Sequence, residues 1–218
     1  MKISLPVAIS ARLFIFDWNG TLQDDALKIF ACVAGTVSHF DGTPPSYEEW
    51  RGGKVRGNWL ALYHESGVPT TVGPAELQPV YDRIHASLPD AAVFPDAVST
   101  LRTLKSLGAT CVLVSGCPKE ILEAEVARHG LADLFDQVVP YVRLKAQAFL
   151  RLVAERGLPL EQILAVGDMV DDAEAARQTG IRAVLCPRGF NTREAIEAAL
   201  PRLPNTRVIE TLADLLTV

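Results

Sequence analysis

The chain has 218 residues, 49 % of them hydrophobic, and its 21 basic and 26 acidic side chains leave a net charge of −5. That length suits one large domain, or an ordinary core carrying a smaller insert. The acidic balance excludes the clustered basic surface that nucleic acid requires, and no apolar run is long enough to span a membrane, so neither partner is expected.

The opening MKISLPVAIS has one lysine and a weak apolar run broken by Pro6, and it flows directly into a strand, so it does not read as a signal peptide. Residues 12–17 form that strand, an aliphatic and aromatic run that ends on Asp17 and breaks into a Gly20-Thr21 turn. Residues 22–92 follow a different pattern. Helical stretches at 24–40, 58–66 and 74–88 are joined by GTPPS, RGG and SGVPTTVGP, with no convincing strand, and FPDA at 94–97 marks the way back. From 93 onward short β-branched runs alternate with helical patterns. The predicted strands are 110–115, 137–142, 163–167, 181–186 and 206–209, and the helices after residues 93, 117, 144 and 170 each end on a glycine. Strand and helix repeated in this way imply an α/β fold, a Rossmann-like parallel sheet with helices on both faces. The expected domains are a core of 1–21 and 93–218 and a small helical insert of 22–92.

Cys32, Cys111, Cys117 and Cys186 show neither metal-ligand spacing nor a secreted disulfide framework, and a reducing cytoplasm is the expected compartment. His39, His64, His85 and His129 are scattered and form no metal pattern.

In an open parallel sheet, ligands bind beyond the carboxyl ends of the strands. Four polar stops fall there: Asp17, Ser115, the neighbourhood of Lys145, and Gly167-Asp168 followed by Asp172. Carboxylates at 17 and 168 are hard oxygen ligands of the kind Mg²⁺ takes. Lys145 adds a positive charge, and the Ser115 hydroxyl with the Gly116 amide adds donors for phosphate oxygens. Phosphoryl transfer needs little more than an in-line nucleophile and neutralised oxygens.

The segments FDWNGTL, LVSGCP, Lys145 ahead of a helix and ILAVGD, and VGDMVDDAEAARQTG together resemble the four motifs of the haloacid dehalogenase-like hydrolase superfamily. The resemblance covers nearly the whole chain. It implies that the Asp17 strand is central, that Asp17 is the nucleophile, that Asn19 holds the general acid/base position, and that Lys145 is the third-motif lysine. It further implies Mg²⁺ held by Asp17, the backbone carbonyl of Asn19 and Asp168, with Asp172 as the second fourth-motif carboxylate, and Ser115, Gly116 and Thr21 on the substrate side. The insert would be a helical cap over the site. This chain departs from the pattern in three places: Asn19 stands for the usual aspartate, Ala146 for the proline after the lysine, and Asp171 stands beside Asp172.

Within the insert, RGGKVRGNW places Arg51, Lys54 and Arg56 on a glycine-flexible segment of an acidic protein, which reads as a loop that meets an anionic substrate group. The resulting expectation is a Mg²⁺-dependent hydrolase of a small phosphorylated metabolite, monomeric or homodimeric, acting through an aspartyl-phosphate and nearest in layout to phosphoglycolate phosphatases. The alternatives are a haloacid or phosphonate hydrolase of the same superfamily, the latter using Lys54 as a Schiff base, or a regulatory relative that binds metal and phosphate with little turnover because Asn19 replaces the acid.

Overall fold

The computed structural model describes residues 11–54 and 59–217. Strand β1 (Leu13–Phe16) is fully buried along its length. Its alternate side chains serve both faces, as the twofold pleat of a strand requires. Phe14 and Phe16 join one hydrophobic cluster, and Leu13 and Ile15 join another on the opposite face.

The other strands are β2 (Thr110–Val114), β3 (Gln137–Val139), β4 (Ile163–Gly167), β5 (Arg182–Leu185) and β6 (Thr206–Val208). All pair in parallel, in the order β3-β2-β1-β4-β5-β6. β1 is therefore interior. The chain winds outward from it in one direction through β2 and β3 and in the other from β4, a reversal that opens a crevice at the carboxyl ends of β1 and β4.

The helices, numbered along the chain, divide by position. α1 (Ala26–His39), α2 (Tyr47–Glu49), α3 (Trp59–Glu65) and α4 (Pro74–Ser87) all fall between β1 and β2. α5 (Pro95–Ser106) and α6 (Lys119–Arg128) cover the Phe14 face, while α7 (Lys145–Arg156), α8 (Val170–Thr179) and α9 (Arg193–Ala199) cover the Ile15 face. The glycine stops expected from sequence are real. Gly157 and Gly180 cap α7 and α8 in the left-handed conformation, which a residue without Cβ adopts at little cost.

Two expectations shift. β3 ends at Val139 rather than 142, because Pro140 has no N–H to give a ladder and Tyr141 turns the chain with φ of 61°. The joint RGG at 51–53 lies instead within a wound segment: residues 46–54 form α2 under a Ser46–Glu49 capping box and then a π turn over Trp50–Lys54. Gly53 at φ 131° breaks that turn.

Helices α1, α3 and α4 and the turn after α2 gather a third cluster of their own, including Val33, Val37, Trp50, Leu62, Tyr63 and Leu77, with Phe190 from the loop after β5 against its edge. The two crossings into and out of this region run side by side. Asp24 donates to the Ala92 carbonyl at 2.8 Å, Phe94 donates to the Leu22 carbonyl at 2.9 Å, and Gln23 bridges Val93 in antiparallel fashion.

Candidate active site

Register brings the expected residues together. Phe16 lies opposite both Leu113 and Val166, so the residues that follow these strands leave the sheet next to one another. The Asp17 amide is fixed by the Val166 carbonyl at 3.0 Å. Lys145, at the first turn of α7, reaches in from beyond β3, and its Nζ lies 2.9 Å from Asp17 Oδ1 and 2.5 Å from Asp172 Oδ1. The second oxygen of Asp172 accepts from the Met169 amide at 3.1 Å, which ties the lysine to the start of α8.

Asp168 is held differently. Its Oδ1 accepts from the Thr21 hydroxyl at 2.8 Å and its Oδ2 from the Phe190 amide at 2.5 Å. Two backbones close on this carboxylate because neither carries a side chain. A Cβ at Gly20 would sit 2.9 Å from the Asp168 carboxyl carbon, and one at Gly189 would strike both that carboxylate and the Gly20 backbone. Gly20 also has φ of +73°, a further reason for its identity.

Ligand oxygens of Asp17, Asp168 and Asp172, all buried, lie within 4.8 Å of one another. Burial raises Asp17 to about 6, with Lys145 opposing the rise and Asp172 adding to it. Burial, then the charges of Asp17 and Asp172, pushes Asp168 well above the usual carboxylate range. For Lys145, burial acts to lower its affinity for a proton, and the two flanking carboxylates more than reverse it. Three hard-oxygen carboxylates against one ammonium is a donor set that fits a divalent cation such as Mg²⁺.

A family profile for haloacid dehalogenase-like hydrolases matches residues 11–180, the span that carries Asp17, Lys145, Asp168 and Asp172. The chain belongs to that family. Among curated relatives it is 30 % identical over 209 residues to a phosphoglycolate phosphatase of Synechococcus elongatus, covering 94 % of this chain and 95 % of that one. It is 27 % identical over 220 residues to phosphoglycolate phosphatase 1 of Pseudomonas aeruginosa, with 94 % and 78 % covered. The fold is that of a haloacid dehalogenase-like protein from Agrobacterium tumefaciens, at a TM-score of 0.72, 21 % identity, and 95 % and 96 % coverage. A haloacid dehalogenase-like family protein from Streptococcus pneumoniae superimposes with a TM-score of 0.71 at 18 % identity, with 95 % and 98 % covered.

In this haloacid dehalogenase-like hydrolase the first-motif amide has an unforeseen partner. Asn19 Nδ2 donates to Asp25 Oδ2 at 2.5 Å, and the Gly20 amide donates to Asp25 Oδ1 at 2.8 Å. Asp25 is buried, and burial raises it to about 7 despite those two bonds. An aspartate at 19 would press a second carboxylate against it, so the amide and the carboxylate six residues later form one unit. Ser115 faces the other side of the amide. Its hydroxyl approaches Asn19 Oδ1 at 3.5 Å and accepts from the Cys117 amide at 3.1 Å.

The remaining expected residues are not all at the site. Asp17, Asn19, Gly116 and Lys145 line a cavity of about 1350 Å³ between the sheet end and the α1–α4 helices. Thr21, read as a substrate contact, is fully buried with its hydroxyl spent on Asp168. Arg51 and Lys54 do not line the cavity either. Arg51 Nε donates to the Gly189 carbonyl at 2.7 Å and its guanidinium lies over the Tyr47 ring, while Lys54 is exposed and 3.8 Å from Glu49. The turn at 50–54 points them sideways, onto the loop after β5 and back along α2. Lys54 thereby loses the position a Schiff-base lysine needs. Arg56 lies outside the described residues. Cys117 does line the cavity, with a thiol pushed up to about 12 by burial and thus a poor nucleophile.

Sequence reading missed Asp25, Arg188, Gly189 and Phe190. Arg188 Nη1 lies 2.7 Å from Asp96, and its Nη2 donates to the Thr21 carbonyl at 2.7 Å, which clamps the first-motif loop to the return segment. The only signal in the sequence is the RGF triplet after β5.

Proposed function

We propose that this hydrolase is a Mg²⁺-dependent phosphatase of phosphorylated small molecules, working through a phosphorylated Asp17. The observation that carries the reading is the convergence of Asp17, Lys145, Asp168 and Asp172 in one buried group at the end of the central strand. Asp17, Asp168 and the Asn19 carbonyl would hold the metal, with Asp172 in the same group but its oxygens already engaged by Lys145 and Met169. The bound metal supplies charge neutralisation on the phosphoryl oxygens.

The chain's own groups divide the work. Asp17 must be ionised to attack phosphorus, and Lys145 at 2.9 Å favours that form while also facing the incoming phosphate. As the Asp17 oxygen bonds to phosphorus, the ester oxygen departs and takes a proton. A second displacement by water, which gives up a proton, returns Asp17 and inorganic phosphate. Asn19 can neither give nor take those protons, so good leaving groups are favoured and phospho-Asp17 accumulates.

In this reading residues 22–92 are a cap and residues 1–21 with 93–218 the core, supported by the separate apolar cluster of the insert and its paired crossings. Four free cysteines, three of them buried, support a reducing cytoplasm as the compartment. Among the described residues no helix is long and apolar enough to cross a membrane. The names of the curated relatives make phosphoglycolate the first ester to try. Acetyl phosphate and p-nitrophenyl phosphate should be hydrolysed with Mg²⁺ and spared in excess chelator. Equal turnover in chelator removes the metal from the scheme.

A further inference from the structure

The cavity in front of Asp17 is larger than the roughly 300–1000 Å³ common for small-molecule sites, at about 1350 Å³. A two-carbon ester would occupy a small corner of it. The wall facing the catalytic group is built from α1, α3, α4 and the start of the π turn, and offers Ile29, Trp50, Trp59, Tyr63, Leu77 and Tyr81. Two aromatic pairs stand on this side, Trp59 edge-on to Tyr63 at 5.8 Å and Trp50 packed on Phe190 at 5.3 Å.

The charges lining the same cavity point the same way. Beside Lys145, which is committed to Asp17 and Asp172, the described cationic side chain on the walls is Arg143, stacked 4.7 Å from the Tyr141 ring. His85 also faces in, and burial lowers its proton affinity. Against these stand Asp82, Glu120, Glu125, Asp171 and Glu174. A substrate carboxylate placed against the helices opposite the sheet end meets apolar side chains and Asp82, with Arg143 across the gap on the sheet side. The arginine and lysine that composition suggested for an anionic group, Arg51 and Lys54, are turned onto Gly189 and Glu49.

Resting on the phosphatase reading above, we propose that the alcohol half of the natural substrate is a bulky, uncharged, mainly apolar group with an aromatic or long aliphatic body, and not a small carboxylated alcohol. The phosphate sits at Lys145 and the strand ends, and the apolar body fills the space under Trp50, Tyr63 and Tyr81. Binding energy from that remote part is what positions the ester for Asp17.

The test pairs turnover with binding, and compares alkyl esters so that leaving-group ability does not decide. Turnover with Mg²⁺ is measured on 1-naphthylmethyl phosphate and on phosphoglycolate. Binding is measured by calorimetry with their non-hydrolysable counterparts, 1-naphthylmethyl phosphonate and phosphonoacetate. The naphthyl compound should win by roughly 10-fold or more both in kcat/KM and in Kd, the discrimination an apolar pocket gives. Tyr81→Ala should erase most of that margin, and Ile29→Lys should narrow it from both sides, with melting curves showing that each variant is folded. Tighter naphthyl binding without turnover of either ester upholds this inference and sinks the phosphatase reading. Equal or tighter binding of phosphonoacetate overturns the inference, as does a margin untouched by both variants, whatever the turnover; a phosphoglycolate preference lost in Arg56→Ala would identify the cation responsible.

Discussion

The two walls of the cavity are built on different principles. At the sheet end each carboxylate is buried and bonded: Asp168 to Thr21 and Phe190, Asp172 to Lys145 and Met169, Asp25 to Asn19 and Gly20. Across the gap the helices that follow β1 offer aromatic and aliphatic surface, with Arg51 and Lys54 turned aside. Polar groups fixed in advance do not need to reorganise during reaction, which is where rate comes from. Apolar surface is tolerant of shape and contributes through area, about 25 cal/mol per Å² removed from water. One wall is built for a reaction and the other for a class of ligands.

The largest effect that would sharpen this contrast is at the sheet end. Asp17→Asn removes the proposed nucleophile and metal ligand together and should lower turnover on the order of 10⁴-fold or more, as loss of a nucleophile does elsewhere, with ligand binding to the apolar wall retained. Parallel loss of kcat and of phosphonate binding would show the two walls are not separable.

The Asn19–Asp25 unit comes next. Asn19→Asp alone sets two carboxylates against each other and should melt earlier without gaining activity on alkyl esters. Combined with Asp25→Asn, the amide at 25 keeps its oxygen on the Gly20 amide and gives its N–H to the new carboxylate. The pair should then speed alkyl ester hydrolysis by at least about 10-fold, the lower end of what general acid–base help supplies. A single variant faster than the double would mean that Asp25 does not govern position 19.

A smaller effect follows from the raised carboxylates. Asp17 at about 6 and Asp25 at about 7, against an ordinary value of 3.8, hold protons in the metal-free fold that the unfolded chain has already released. Excess protons on the native state mean that stability falls as pH rises from the unfolded value toward the folded ones. The metal-free melting temperature should therefore drop between about pH 4 and pH 7, and Mg²⁺, which would take the place of the proton on Asp17, should raise it more at the higher pH. A Mg²⁺ gain that is larger at the acid end contradicts the charge account.

Smallest are the two basic residues of the insert. Lys54→Ala breaks an exposed pair and should leave the melting temperature nearly unchanged. Arg51→Ala removes a bond to the Gly189 carbonyl, next to the residue whose amide holds Asp168. It should cost activity several-fold on all esters alike, measured as kcat, because it acts through Asp168 and not through substrate.

The same contrast decides what could be read from sequence. Asp17, Asp168 and Lys145 were legible because strand ends in a parallel sheet are aligned by register, and register follows from the apolar runs. The glycine stops of the helices were legible for an equally local reason. Asp25 was not, since nothing in LQDD says which aspartate turns inward to meet the amide at 19. Gly189 and Phe190 reach Asp168 across 22 residues of chain, an approach set by tertiary packing. Arg51 and Lys54 misled because composition reports charge and not direction, and the π turn at 50–54 fixed the direction. The apolar insert wall was spread over three helices, each of which reads alone as an ordinary core face.

The most direct measurement is the mass of the protein quenched in acid during turnover of acetyl phosphate with Mg²⁺. One added phosphoryl group should accumulate, map by peptide fragmentation to Asp17, and be missing in Asp17→Asn and in chelator. Turnover without any adduct, or an adduct on another residue, would contradict the assignment of Asp17 as the group that does the chemistry.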